Sequence, residues 1–284
     1  MNPFLRLLPA RLRNTDPTIP VVRLTGTIAA GGALGRATLN LSACAQPLAK
    51  AFAEKGPAVA ILVNSPGGSP VQSHFIYKRI RALAKEKKKK VHVFVEDVAA
   101  SGGYMIACAG DDITADPSSI VGSIGVISAS FGFTGAIEKI GVERRVYTAG
   151  ENKSVLDPFL PPKERDIEHL KSLQLEIHDT FKTLVRGSRG ERLRDDAELF
   201  SGLFWTGEAA RERGLVDDVG DVRSSLKRLY GPKTKMKLID VRRGLFGRRP
   251  PSIGEAGVER AAGEAVAAGL AALEDRAHWA RFGL

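Results

Sequence analysis

The chain has 284 residues, 43% of them apolar, enough to bury a full core, which excludes disorder of the whole chain. Its formal charge is +10, yet basic residues concentrate only at Lys85 to Lys90 and Arg242 to Arg249. Without aromatic-basic interleaving or finger spacing, that charge does not point to nucleic acid.

The start, MNPFLRLLPARLRN, is interrupted by Arg6 and Pro9, so it lacks the apolar run of a secretory signal. No later stretch reaches the ~18 apolar residues of a membrane span. The expected location is therefore cytoplasmic. Phe4, Leu5, Leu7 and Leu8 among Arg6, Arg11 and Arg13 leave open a peripheral membrane contact, although Pro9 opposes a continuous amphipathic helix. Cys44 and Cys108 show neither a CxxC spacing nor a disulfide framework and read as core residues.

From Ile19 the pattern becomes regular. IPVVRL predicts a strand, a Gly-rich turn region reaches Gly35, and helical periodicity follows through Leu48, Ala51 and Phe52 to Gly56. AVAILV at 58–63 predicts a buried strand. Ser69 as N-cap and Pro70 at the first helical position open a helix to about Lys87. VHVFV at 91–95 is a second buried strand. Then come a short small-residue helix through Ala109, strands at DITAD and SIGVIS, a helix near 134–140 and a strand at 144–147. A long helix spans 162–186, two shorter helices lie within 205–230, and MKLIDV at 236–241 is the last strand. Buried strands alternating with helices indicate the α/β class, with a sheet covered on both faces. Residues 1–18 read as an extension and 19–241 as the folded domain. Residues 242–284 begin as a basic linker and continue as a helix whose stripe is Val258, Ala262, Val266, Leu270 and Leu273. That stripe packs on its own domain, on a second subunit or on a membrane surface.

Two glycine-containing turns follow two buried strands, where open α/β sheets bind their ligands. Gly67 and Gly68 let backbone N–H groups approach a substrate carbonyl as oxyanion donors. Ser101 stands at a strand-to-helix turn between Ala100 and Gly102, in an N-cap position that a nucleophile also suits. A nucleophilic serine needs a base. His74, His92, His169, His178 and His278 all fall in helical, strand or tail contexts that do not suit one. By its surroundings alone, Lys153 reads as a solvated lysine.

The strings NSPGGSP (64–70), DVAASGGYMIACAGDDITADPSSIVGSIGVIS (97–128) and AGENKSVLDPF (149–159) resemble, in order and separation, the signature blocks of the signal peptide peptidase A family of serine peptidases (S49). The resemblance covers about Pro20 to Val241. It implies a crotonase/ClpP-like fold of repeated βα units with a mostly parallel sheet. It also implies a Ser-Lys dyad of Ser101 and Lys153, oxyanion donors at Gly68 and Gly102, and Ser123 as the residue orienting the lysine. Related caseinolytic peptidases carry a histidine about 25 residues after the serine; Gly122 to Ser128 holds none, which favours the lysine dyad. The expected activity is hydrolysis of peptides such as signal peptide remnants through an acyl-enzyme, with no cofactor and no metal. The family's closed rings imply a homo-oligomer with its sites facing inward. The alternatives are a crotonase-type acyl-CoA hydratase or isomerase and a non-catalytic ring-forming membrane scaffold.

Overall fold

The structure is a computed structural model, and it describes residues 16–31, 38–239, 272–273 and 275–284. Its strands are β1 (Thr18–Thr25), β2 (Ala58–Ser65), β3 (Lys90–Ala100), β4 (Asp112–Ala115), β5 (Ile120–Gly122), β6 (Phe204–Thr206), β7 (Asp218–Val219) and β8 (Lys235–Leu238). They form one sheet in the order β6-β5-β3-β2-β1-β8, with β4 on β3 and β7 on β4. Every pairing is parallel except that of β5 with β6. The α/β class with a mostly parallel sheet is therefore as expected.

The central strands are apolar on both faces because both are covered. Val22, Leu24, Val59, Ile61, Val63, Val91, Val93 and Val95 point into the main core. The helices α1 (Leu41–Ala53), α2 (Pro70–Lys87), α3 (Gly102–Ala107) and α5 (Glu164–Arg189) pack there. Ile19, Val21, Ala58, Ala60 and Phe94 alternate to the other face and meet Leu226 of α7 (Val222–Tyr230). The remaining helices are α4 (Thr134–Lys139) and α6 (Gly207–Glu212). Helix α2 begins as its sequence demands: Ser69 Oγ accepts the Gln72 amide at 3.4 Å, and Pro70 needs no partner for an amide.

β3 runs to Ala100, well beyond VHVFV. It pairs on its outer edge with β4 over 92–95 and with β5 over 98–100. Against β2 its register shifts, from Val63 opposite Val95 to Ser65 opposite Ala99. Asn64 bridges the irregularity: its Oδ1 accepts Val98 N at 3.2 Å, and its Nδ2 donates to Asp97 Oδ2 at 2.5 Å. The realigned end of β3 delivers Ser101.

Two expected strands are absent. SIGVIS lies after β5, and 144–147 is not a strand. From Gly125 to Thr180 no residue is buried, so this stretch is an arm with no strand neighbour to satisfy its backbone as a sheet would. The last strand starts and stops earlier than MKLIDV, at Lys235–Leu238. The tail stripe at Val258, Ala262, Val266 and Leu270 lies outside the described residues, while Leu273 is exposed.

Candidate active site

Ser101 occupies the turn between β3 and α3 with φ 52° and ψ −120°. An L-residue rarely adopts this conformation, and it costs on the order of 1–3 kcal/mol. The surroundings impose it. Ser101 N donates to Gly122 O at 2.8 Å and Met105 N donates back to Ser101 O at 3.0 Å, so the backbone is held from β5 on one side and α3 on the other. Ser101 takes the N-cap position of α3, yet its side chain makes no capping hydrogen bond. The capping reading of this serine is thereby removed. Its hydroxyl is left for the cavity.

The adjacent glycines are there because nothing larger fits. A Cβ on Gly67 would stand 2.8 Å from Ser101 Cβ, one on Gly102 2.3 Å from Ser73 Oγ, and one on Gly103 2.4 Å from Ser65 O. Real contacts of that kind do not occur, so the 66–68 turn and the start of α3 interlock only without side chains.

The two glycines of the first turn have different roles. Gly67 N donates to Ser65 Oγ at 3.2 Å, and Ser65 Oγ donates to Gly26 O at 2.7 Å. Gly67 O accepts from Ile28 N at 2.8 Å. Among the described residues, the amides of Gly68 and Gly102 donate to no acceptor, and both glycines line the cavity that Ser101 lines. Two unpaired N–H groups beside a free hydroxyl can stabilise the negative charge that develops when a carbonyl is attacked.

That cavity holds about 790 Å³. Its walls come from the 26–31 turn, Pro66, Gly68 to Pro70, Met105, Val126 and Ile127, Ile177 and Phe181 of α5, and Asp275, His278 and Arg281 of the C-terminal segment. The last three were not singled out by sequence reasoning as site residues. The tail context of His278 gives no sign in sequence that it reaches a site. Only the return of the tail to the sheet brings them here, and no local pattern announces that.

Ser123 sits just past the β5 residue that accepts the Ser101 amide and is largely buried. Lys153 is placed elsewhere. It is exposed, in the 151–156 turn, and does not line the cavity. The arm that carries it has its own local order: Phe133 stacks on Phe159 at 5.5 Å, and Arg144 bonds Asp157 at 2.9 Å. The Phe159 amide and then Arg144 hold the Asp157 carboxyl below the usual carboxylate range.

Neither cysteine is a rival nucleophile. Burial pushes the Cys108 thiol up to about 12 and that of Cys44 to about 11, so both stay protonated and inert. Among the described residues no group of His, Cys, Asp and Glu is arranged to hold a metal ion, and no helix is long and apolar enough to cross a membrane.

The sequence model of peptidase family S49 matches residues 83–234, a stretch that contains Ser101, Gly102, Ser123 and Lys153 and begins after Gly68. A protein of Brucella abortus named Na(+)/H(+) antiporter NhaA is 60% identical over 98% of this chain and 39% of its own length. The chain thus spans about two fifths of that relative. Protease 4 of Haemophilus influenzae is 32% identical over 79% of the chain and 37% of its own length. The chloroplastic serine protease SPPA of Arabidopsis thaliana is 32% identical over 61% of the chain and 25% of its own length.

Proposed function

This chain belongs to peptidase family S49, and from that premise we propose that it is a serine endopeptidase with Ser101 as nucleophile and Lys153 as general base. The observation that carries the reading is the uncapped Ser101 hydroxyl at a positive-φ turn beside the unpaired amides of Gly68 and Gly102. Ser101 Oγ attacks the scissile carbonyl carbon while the neutral amine of Lys153 takes its proton. The two glycine amides hold the oxyanion. The C–N bond then breaks, Lys153 returns the proton to the leaving amine, and water hydrolyses the acyl-enzyme by the same proton path in reverse. Ser123 orients the amine. Peptides such as signal peptide remnants are the substrate class, and no group beyond the chain's own residues is required.

Lys153 stands off its own chain's cavity, on an arm without a buried residue. In our reading the chain is a homo-oligomer in which the arm lies on a neighbouring copy, and Lys153 enters that copy's cavity. The antiporter name belongs to the longer relative; the stretch shared with it includes the residues matched by the S49 model.

A fluorophosphonate probe tests the nucleophile. It should modify Ser101 in the wild-type protein and leave Ser101→Ala unlabelled. Lys153→Arg should lose hydrolysis as completely as Lys153→Ala, because a guanidinium stays protonated in the accessible range. Labelling at another serine, or an active arginine variant, would overturn the dyad. A crotonase-type hydratase would take no label at all.

A further inference from the structure

The strands β8, β1, β2 and β3 begin at one common end of the sheet, with Thr18 opposite Lys235 and Ala58 opposite Lys90. The C-termini of α1 and α2 return to that end, as crossovers between parallel strands require. It is an end built from lysines. Lys50 lies in the last turn of α1 and Lys55 just past it, Lys85 lies in the last turn of α2 and Lys88 at its C-cap, Lys90 opens β3, and Lys233 precedes β8. All of them are exposed, and among the described residues none of them makes an ion pair.

The acids of this end are already engaged. Glu54 pairs with Lys237 at 2.7 Å, Glu86 with Lys87 at 2.8 Å and Asp16 with Lys235 at 3.2 Å. At the start of β4, Asp111 meets Arg81 at 3.0 Å and Asp112 meets His92 at 2.8 Å. The helix dipole accounts for a lysine in the last turn of each helix. It does not account for Lys55, Lys90 and Lys233, which lie in no last turn. The unpaired lysines fall within the ~4–8 basic side chains that hold a protein to an anionic lipid surface. Chain connectivity separates lipid from nucleic acid: β1 starts here, so the preceding sequence, with Phe4, Leu5, Leu7 and Leu8 among Arg6, Arg11 and Arg13, joins the sheet at this end. Apolar and basic side chains together suit the boundary of headgroup and hydrocarbon. Readout of bases draws on arginine forks, whereas the unpaired cations named at this end are lysines.

We propose that this end of the sheet docks on an anionic lipid bilayer, the lysines on the headgroups and Phe4, Leu5, Leu7 and Leu8 supplying apolar contact. The arm, to which contact between copies is assigned, leaves from beyond β5, and β5 pairs with the opposite end of β3. The two surfaces therefore do not compete. Ser101 also follows that opposite end. β3 has 11 residues, which at ~3.3 Å each puts the Ser101 turn about 35 Å from the headgroups. The cavity then faces water, and its substrates arrive from solution and not from the bilayer. That consequence rests on the peptidase reading, whereas the docking itself does not.

The full chain is sedimented with vesicles of phosphatidylcholine, alone or with phosphatidylglycerol mixed in. It should bind the mixed vesicles only, and lose most of that binding when salt shortens the screening length from ~10 Å to ~3 Å. Lys85→Glu with Lys90→Glu should weaken binding about tenfold or more. Arg165→Glu with Arg223→Glu, exposed on other elements, removes the same charge and should change binding less than about twofold. Should the first pair prove unfolded, Lys55→Glu with Lys233→Glu gives the same readout. Deleting residues 1–15 should remove what binding survives high salt. No binding to mixed vesicles, equal binding to phosphatidylcholine alone, or equal loss in the control pair overturns the proposal. Tighter binding of a single-stranded RNA homopolymer through the same lysines overturns it as well. A soluble peptide should be hydrolysed at the same rate with and without mixed vesicles, and a sharp fall on docking would overturn the orientation. Vesicle binding by a protein that hydrolyses nothing would sink the peptidase reading and leave the docking standing. Hydrolysis without vesicle binding would do the reverse.

Discussion

The position of Ser101, the proposed nucleophile, depends on atoms that its neighbours lack. Only glycine fits at position 102, because a Cβ there would stand 2.3 Å from Ser73 Oγ, and Ser73 is itself held by donating to Ser69 O at 2.8 Å. Gly102→Ala must therefore move either Ser73 or the Ser101 turn. The expected result is a fall in kcat of about a hundredfold, the scale on which a small misplacement acts, with KM less affected. Ser73→Gly in the same chain should recover a large part of it by vacating the space. Steady-state kinetics of the two variants check this, and a double variant no better than Gly102→Ala would show that the lost turnover has another origin. At the same scale Gly67 and Gly68 look alike in sequence and differ in their bonding: Ser65 Oγ takes the Gly67 amide, while among the described residues that of Gly68 has no acceptor.

Among the elements, α5 bears the heaviest mechanical duty, since it carries one wall of the cavity and also the root of the arm. Its C-terminal end is fixed by Arg189, which is fully buried, bonds Asp217 through two nitrogens at 2.8 Å each and donates to Gly214 O at 2.9 Å. Burial by itself would raise the Asp217 carboxyl. The hydrogen bonds and charge of Arg189, with the Ile113 amide, outweigh it and hold the group below its usual value. A depressed carboxyl contributes stability that is complete above the unfolded value of about 3.9 and is lost as pH falls through the native value. Arg189→Met should cost about 3 kcal/mol at neutral pH, because it strands a partly buried carboxylate, with Arg192 at 3.1 Å offsetting part of the loss. Relative to wild type, the variant's deficit should shrink as pH falls from the carboxylate range toward the depressed native value of Asp217, below which the carboxyl is protonated in both. Denaturant titrations at pH 7 and pH 3.5 measure it, and a deficit independent of pH would exclude the ion pair as its cause.

The arm sets the behaviour of the whole molecule. Ile127, Phe131, Ile140, Val142 and Tyr147 are all exposed on it, and in our reading this apolar surface is covered by a neighbouring copy. Sedimentation should give a mass that is a multiple of the protomer, and Phe131→Asp with Ile140→Asp should lower it toward a single copy with loss of hydrolysis. If Lys153 acts on the neighbouring serine, then mixing inactive Ser101→Ala with inactive Lys153→Ala should restore activity, toward a quarter of wild type where the copies exchange freely. No recovery from an oligomer that demonstrably exchanges would place the lysine on its own chain's serine.

Much of the fold was legible locally because local forces build it. Two-sided burial writes apolar runs at β2 and β3, the Ser69–Pro70 pair writes a helix start, and the glycines at 67, 68 and 102 mark turns that exclude a Cβ. The three motif blocks carried the family and singled out Ser101 for the proposed role. Periodicity misread SIGVIS and 144–147 as strands, since an apolar run states that something will cover it and not which partner will. Other features were decided only in three dimensions: the positive φ of Ser101, the division of labour between Gly67 and Gly68, the return of Phe282 to the end of β3, and the distance of Lys153 from the cavity. Each depends on contacts between segments far apart in the chain, such as Thr27 with Asp275. No periodicity within a window of residues encodes which distant surface a segment will meet.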